Sequence, residues 1–167
     1  AGGVSLDIIK QKRAGIFYPI QTFSEKRKID FSEIFICLQS KNLEDLLLLK
    51  KLCNYIGAKP FEINSKQIEI IHLSAVLVNN FTNHLFVEAL NLCKRNKLPF
   101  KLLKPLIQET FKKLDDLNPI KSQTGPAIRK DNITINKHLK LIQKPQLKKI
   151  YKTLTLAIQN KNESKKL

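Results

Sequence analysis

The sequence predicts the closing edge of an α/β sheet followed by an all-helical domain. Three observations carry this. Residues 1–63 hold short apolar runs of strand length, and a helical pattern joins the last two. From residue 64 onward the apolar patterns take helical spacing. Between the two regions stands Asn64-Ser65-Lys66-Gln67, the spacing of a capping box, with Asn64 as cap and Gln67 reaching back. The expected division is residues 1–63 as a partial α/β domain, 64–160 as a helical C-terminal domain and 161–167 as a disordered tail.

Ala14-Gly15-Ile16-Phe17-Tyr18-Pro19 reads as a short buried strand ended by proline, and a mostly polar stretch over 21–30 comes after it. Residues 34–38, Ile-Phe-Ile-Cys-Leu, form a second run apolar on both faces. Asn42 begins a helix with Leu43, Leu46, Leu49, Leu52, Cys53 and Ile56 mostly at helical spacing. Gly57 sits where a C-terminal cap belongs. Residues 60–63 make a last strand. Strand, helix, strand is the connection of a doubly wound sheet.

The helix opened at residue 64 runs to about Arg95, roughly 45 Å at 1.5 Å per residue. A helix that long suits the spine of a helical domain or of a dimer. A second helix covers about 100–117, with Leu103, Leu106, Ile107, Phe111, Leu114 and Leu117 as its stripe and Pro105 in its first turn. Residues 118–131 form a loop. A third helix starts after Asp131 or Asn132, with Ile135, Leu139 and Ile142 on one face. A fourth starts near Pro145 and buries Leu147, Ile150, Tyr151, Leu154 and Ile158.

Composition bounds the class. The chain has 167 residues, 43% of them hydrophobic, which suffices for a real core. Its net charge is +16, carried mostly by lysine and concentrated after residue 99. That suggests an anionic partner, or lysine drift over solvated helix faces. Cys37, Cys53 and Cys93 are far apart and each lies in an apolar run, so buried free thiols in a cytoplasmic setting are expected, with no disulfide framework and no metal site. The most apolar stretch, over 68–86, is interrupted by Glu69, His72, Asn79, Asn80, Asn83 and His84, which makes it too polar for a membrane span. The sequence contains no Gly-x-Gly-x-x-Gly turn and no Met. Both suggest a C-terminal piece of a longer protein, one that binds no dinucleotide tightly by itself.

Three constellations could carry chemistry. On the long helix, His72, Asn79 and Asn83 are spaced i, i+7, i+11 and share one side, with Asn80 at the edge of that stripe. An imidazole and carboxamides in an apolar surround orient a substrate carbonyl or pass a proton. Equally, such groups satisfy one another between helices. Thr124-Gly125-Pro126, with Arg129 and Asp131, is the second: Gly125 allows close backbone approach, and the Arg129 fork suits a carboxylate or phosphate. The same residues also read as a tight interhelical turn with Asp131 as a cap. Third, Gln21, Thr22 and Ser24 come just after a strand end, where open α/β sheets bind ligands. An ordinary loop explains them as well.

At these three places the sequence resembles the Rossmann-like proteins whose C-terminal half is the domain of unknown function 2520. The resemblance rests on YPIQTFS at 18–24, IHLSAVLVNNF at 71–81 and TGPAIRKD at 124–131. Many such proteins carry His where this chain has Tyr18, and Gly where it has Lys130. The resemblance implies an N-terminal domain binding NADP or NAD and a helical C-terminal domain that dimerises and closes the active site. The expected function is the substrate-binding and dimerisation part of an NAD(P)-dependent oxidoreductase acting on a small molecule. His72 would be the acid or base, Asn79 and Asn80 would position the substrate, and Thr124 and Arg129 would hold an anionic group. Two other readings stay open: a basic helical nucleic-acid-binding module and a non-catalytic dimerisation domain. Aromatic stacking groups are sparse in the basic region, so nucleic-acid binding is expected to be weak and nonspecific.

Overall fold

The strand at the centre of the sheet is buried on both faces, and the first part of the fold is built around it. The structure, a computed structural model, describes residues 6–163. Strand β1 (Gly15–Pro19) pairs antiparallel with β2 (Phe35–Ser40), and β2 pairs parallel with β3 (Lys59–Glu62), giving the order β1-β2-β3. Helix α1 (Leu43–Tyr55) makes the parallel connection, as the sequence predicts. Asn42 caps it by accepting from the Asp45 N–H, and Gly57 ends it at φ +76°, a conformation open to glycine.

Side chains alternate across β2. Ile36 and Leu38, fully buried, turn with Ile34 toward Cys53 of α1 and Ala58. Phe17, Leu46, Leu49 and Ile56 complete that cluster. Burying each such aliphatic chain stabilises by roughly 1.5–3 kcal/mol. Gly15 fits beneath α1 because it lacks a Cβ: one there would meet Leu49 Cδ1 at 2.6 Å and the Gln39 carbonyl at 3.0 Å. Arg13 ties the sheet's entry to α1 through Asp45, its Nε donating at 2.9 Å. Hydrogen bonds from Arg13 and Asn42 hold the Asp45 carboxyl below its ordinary pKa.

The predicted long helix forms, with an interruption. Ser65–Arg95 is one helical run of 31 residues, made of α2 (Ser65–Ala75), a π-helical turn (Val76–Phe81) and α3 (Thr82–Arg95). The capping box is complete at its start: Asn64 Oδ1 accepts from the Gln67 N–H, and Gln67 Oε1 accepts from the Asn64 N–H, both at 2.9 Å. By length and composition this run is apolar enough to cross a membrane, at mean hydropathy 1.2, although its polar residues argue against a span. Those residues stand within the run, where Glu69 and the histidine and asparagine side chains would each be costly in hydrocarbon.

Contacts divide the chain into Ala1–Leu85 and Phe86–Leu167, so the two compact units part inside α3. The expected boundary at residue 64 marks the change of secondary structure. Packing parts later because α2 stays with the sheet: Gln39 Nε2 donates to Ser65 Oγ at 2.9 Å, and Ile68 is buried.

The second unit contains a short 3₁₀ turn (Phe100–Leu103), α4 (Lys104–Asp116), α5 (Asn132–Leu141) and α6 (Pro145–Glu163). Asp131 caps α5, accepting from the Thr134 N–H and hydroxyl, and these bonds lower its pKa. Ile135, Ile142 and Leu147 are buried, and His138 meets the Tyr151 hydroxyl at 2.8 Å across α5 and α6. The buried Glu88 of α3 is paired with Lys144. Leu154, expected inside, is exposed, as are Leu106, Phe111, Leu114 and Leu117 of the α4 stripe. Of the expected tail at 161–167, residues 161–163 continue α6, and 164–167 lie outside the described residues.

The capping box should be measurable. Asn64→Ala should lower the stability of the first unit by about 1 kcal/mol. Urea titrations of the wild type and the variant, compared at unchanged slope, check this. No shift in midpoint would mean the helix start is held by tertiary contacts alone.

Candidate active site

A cleft of about 460 Å³ opens at the end of β1, and the π turn forms one of its walls. From the strand side come Tyr18, Ile20, Gln21, Thr22 and Phe23. From the helix come His72, Ala75, Val76, Val78, Asn79 and Asn80. All of these lie within the first compact unit.

The strand positions Tyr18. It pairs with Cys37 across β1 and β2, so its side chain rises from the face opposite α1. Its hydroxyl lies 3.0 Å from Nδ1 of His72, and the rings meet edge to face with centroids 6.1 Å apart. Burial raises the Tyr18 pKa above its ordinary 10.0, with a smaller contribution from Cys37. The phenol therefore stays protonated at neutral pH. With Nδ1 engaged, the other ring nitrogen, Nε2, has no protein partner among the described residues. If Tyr18 donates to Nδ1, Nε2 carries a proton. If Nδ1–H donates to the Tyr18 oxygen, Nε2 offers a lone pair.

The π turn positions the asparagines. A wider turn fits an extra residue into the helix and rotates the residues beyond it by about 100° relative to an α-helix. Helical spacing alone puts Asn79 and Asn83 on the His72 side. The structure instead brings Asn79 and Asn80 to the cleft, and Asn83 does not line it. Asn79 and Asn80 are exposed, and their carboxamides make no hydrogen bond among the described residues. They are not the mutually satisfied interhelical groups of the alternative reading. The Thr82 hydroxyl donates to the Leu77 carbonyl five residues back, at 3.3 Å, where the widened turn leaves room for it.

Five of the expected site residues thus stand together: Gln21, Thr22, His72, Asn79 and Asn80. Ser24, two residues beyond Thr22, does not line the cleft. Thr124, Gly125 and Arg129 belong to the second unit. There Gly125 takes φ +107°, its carbonyl accepts from the Arg129 N–H at 3.4 Å, and Arg129 interacts with Asp131. Lys130 takes φ +54°, a left-handed conformation where glycine is at ease, which accounts for the glycine that similar sequences carry there. Sequence reasoning did not single out Tyr18 as a site residue. The available signal was its place at the end of a strand, on the face opposite the core.

A dinucleotide has no seat among these residues. The one helix that comes after a described strand of the sheet closely enough to act as a phosphate turn is α1. Its N-terminus is occupied by the Asn42 cap and carries Glu44 and Asp45 in its first turn. Those carboxylates would repel a pyrophosphate.

With the geometry established, relationship can be read. Residues 34–158 match the family described as domain of unknown function (DUF2520). The chain belongs to this family. Among solved structures it is similar to a Bacteroides fragilis protein described as a "putative NADP oxidoreductase", with a TM-score of 0.91 and 37% identity over 96% of this chain. It spans 63% of that protein's length. A Thermotoga maritima protein shares the fold, with a TM-score of 0.75 and 24% identity over 100% of this chain and 68% of its own. No curated protein matches the chain significantly. The expected fold class holds: the edge of a Rossmann-like sheet followed by a helical domain.

The cleft separates two kinds of residue by stability. Asn79→Ala and Asn80→Ala should each change stability by no more than about 0.5 kcal/mol, as substitutions at exposed positions do. Tyr18→Phe should cost about 1 kcal/mol by removing a half-buried hydrogen bond. It should also shift the ¹⁵N resonances of the His72 ring toward a mixture of tautomers. Thermal melts and imidazole NMR of the three variants check these outcomes.

Proposed function

We propose that this chain is the substrate-binding and dimer-forming part of an oxidoreductase that uses NADP or NAD, and that the cleft at the end of β1 is where the substrate reacts. The observation that carries the reading is the Tyr18 hydroxyl 3.0 Å from His72 Nδ1 inside that cleft. The name of the Bacteroides relative supports the cofactor class. No described residue fits a dinucleotide, so the chain's own part is the proton. His72 Nε2 gives a proton to, or takes one from, a substrate oxygen, and Tyr18 selects the tautomer that does so. Asn79 and Asn80 offer carboxamides to the same oxygen or its neighbour. Ile20, Ala75, Val76 and Val78 limit water around it. The thiols and the ionic pairs elsewhere take no part. A cytoplasmic setting goes with this reading.

The reading is tested in a protein that carries this chain together with a dinucleotide-binding domain. His72→Gln should lower turnover of carbonyl substrates with NADPH by roughly 10²–10⁴-fold while leaving the melting temperature near that of the wild type. Tyr18→Phe should lower it by a smaller factor and broaden its pH dependence. Full turnover in His72→Gln would remove the assignment.

The dimer rests on a separate observation. Ile70, Leu73, Leu77, Val78 and Phe81 of the long helical run are each more than half exposed. So contiguous an apolar surface is a mark of an interface. A homodimer should form through it, and light scattering at about 20 µM, above most specific dimer dissociation constants, should give twice the chain mass of 19.2 kDa. Leu77→Lys should return the chain to monomer.

A further inference from the structure

The cleft that holds His72 has no charged side chain in its lining. In a chain where 26% of residues are charged and the net charge is +16, that absence is selective. Its hydrogen-bonding groups are all neutral in form: the Tyr18 phenol, the Gln21, Asn79 and Asn80 carboxamides, the Thr22 hydroxyl and the His72 ring. The charged residues nearest in sequence, Glu25, Lys26, Arg27 and Lys28, come later on the same loop and lie outside the lining.

A carboxylate or phosphate drawn into such a site would lose water and gain no countercharge, which is costly. A neutral carbonyl or hydroxyl loses far less. It finds donors and acceptors of both kinds there, since each carboxamide presents an N–H₂ and a C=O. We infer that the cleft selects an uncharged polar group, a carbonyl or hydroxyl with no carboxylate or phosphate on the adjoining carbon. This rests on the substrate-cleft reading above and narrows it. Any anionic part of the substrate would have to sit away from the reacting oxygen.

The test compares two probes of equal size, pyruvamide and pyruvate, which differ in the group beside the ketone. Each is titrated into the chain labelled with ¹⁵N-histidine, at physiological ionic strength to screen the overall charge. Titrations run to about 50 mM, the range in which ligands of so few atoms bind. The three histidines are distinguished by the signal lost in His72→Gln. The expected result is a saturable shift of the His72 ring nitrogens with pyruvamide and binding of pyruvate weaker by about tenfold or more. A chain of +16 would favour the anion on overall charge, so preference for the amide has to come from the lining. Pyruvate binding as tightly as pyruvamide, or tighter, overturns the selectivity and leaves the oxidoreductase reading standing. Neither probe moving His72 overturns both. Pyruvamide preference stands whatever the NADPH assay shows, because it is read without cofactor.

Discussion

The first unit depends on β2 being buried from both sides. A strand in that position must have a helix on each face, because its apolar side chains point alternately up and down. Ile36 and Leu38 on one face receive α1, which the chain supplies at once by the short β2–α1–β3 connection. The opposite face carries Tyr18 and Cys37, and there α2 is held by two polar bonds, Gln39 to Ser65 and Tyr18 to His72. The same hydrogen bond therefore anchors a helix to a sheet and orients an imidazole. Structural and chemical roles are not alternatives at His72.

The π turn matters because of where it falls. One turn after His72, it converts a stripe that would continue through Asn83 into a wall that presents Asn79 and Asn80. A regular α-helix lays its side chains in rows about one turn apart, so two consecutive residues rarely share a small cleft. Widening the turn relaxes that limit. The cost is a strained local hydrogen-bond pattern, and such turns persist where the positions they create are used.

Much of the remaining apolar surface is left uncovered. Phe35 and Phe61 on the sheet, Leu73 and Leu77 on the long helical run, and Leu106 and Phe111 on α4 are all about half exposed or more. The chain spans 63% of the Bacteroides relative, and both the remainder of a longer polypeptide and a second copy would find surface to cover. The sparse cores within each unit fit a piece of structure whose stability is shared with its neighbours.

Local rules were enough for the elements themselves. Asn42, Gly57, the Asn64–Gln67 box, Asp131 and Pro145 each act on backbone groups within a few residues, so helix starts and ends could be read directly. Alternation and helical spacing likewise separated strands from helices, and the polar residues Gln21, Thr22, His72, Asn79 and Asn80 stood out as candidates on composition alone. Three things needed the folded chain. Tyr18 and His72 are 54 residues apart, and no spacing rule relates them; strand register and the seating of α2 do. The π turn depends on one backbone turn yielding to its surroundings, which side-chain periodicity does not record. The exposure of the α4 stripe was invisible because an amphipathic pattern states that a face will be buried and not by what. Sequence determines the features decided between neighbours along the chain, whereas contacts closed across it await the tertiary structure.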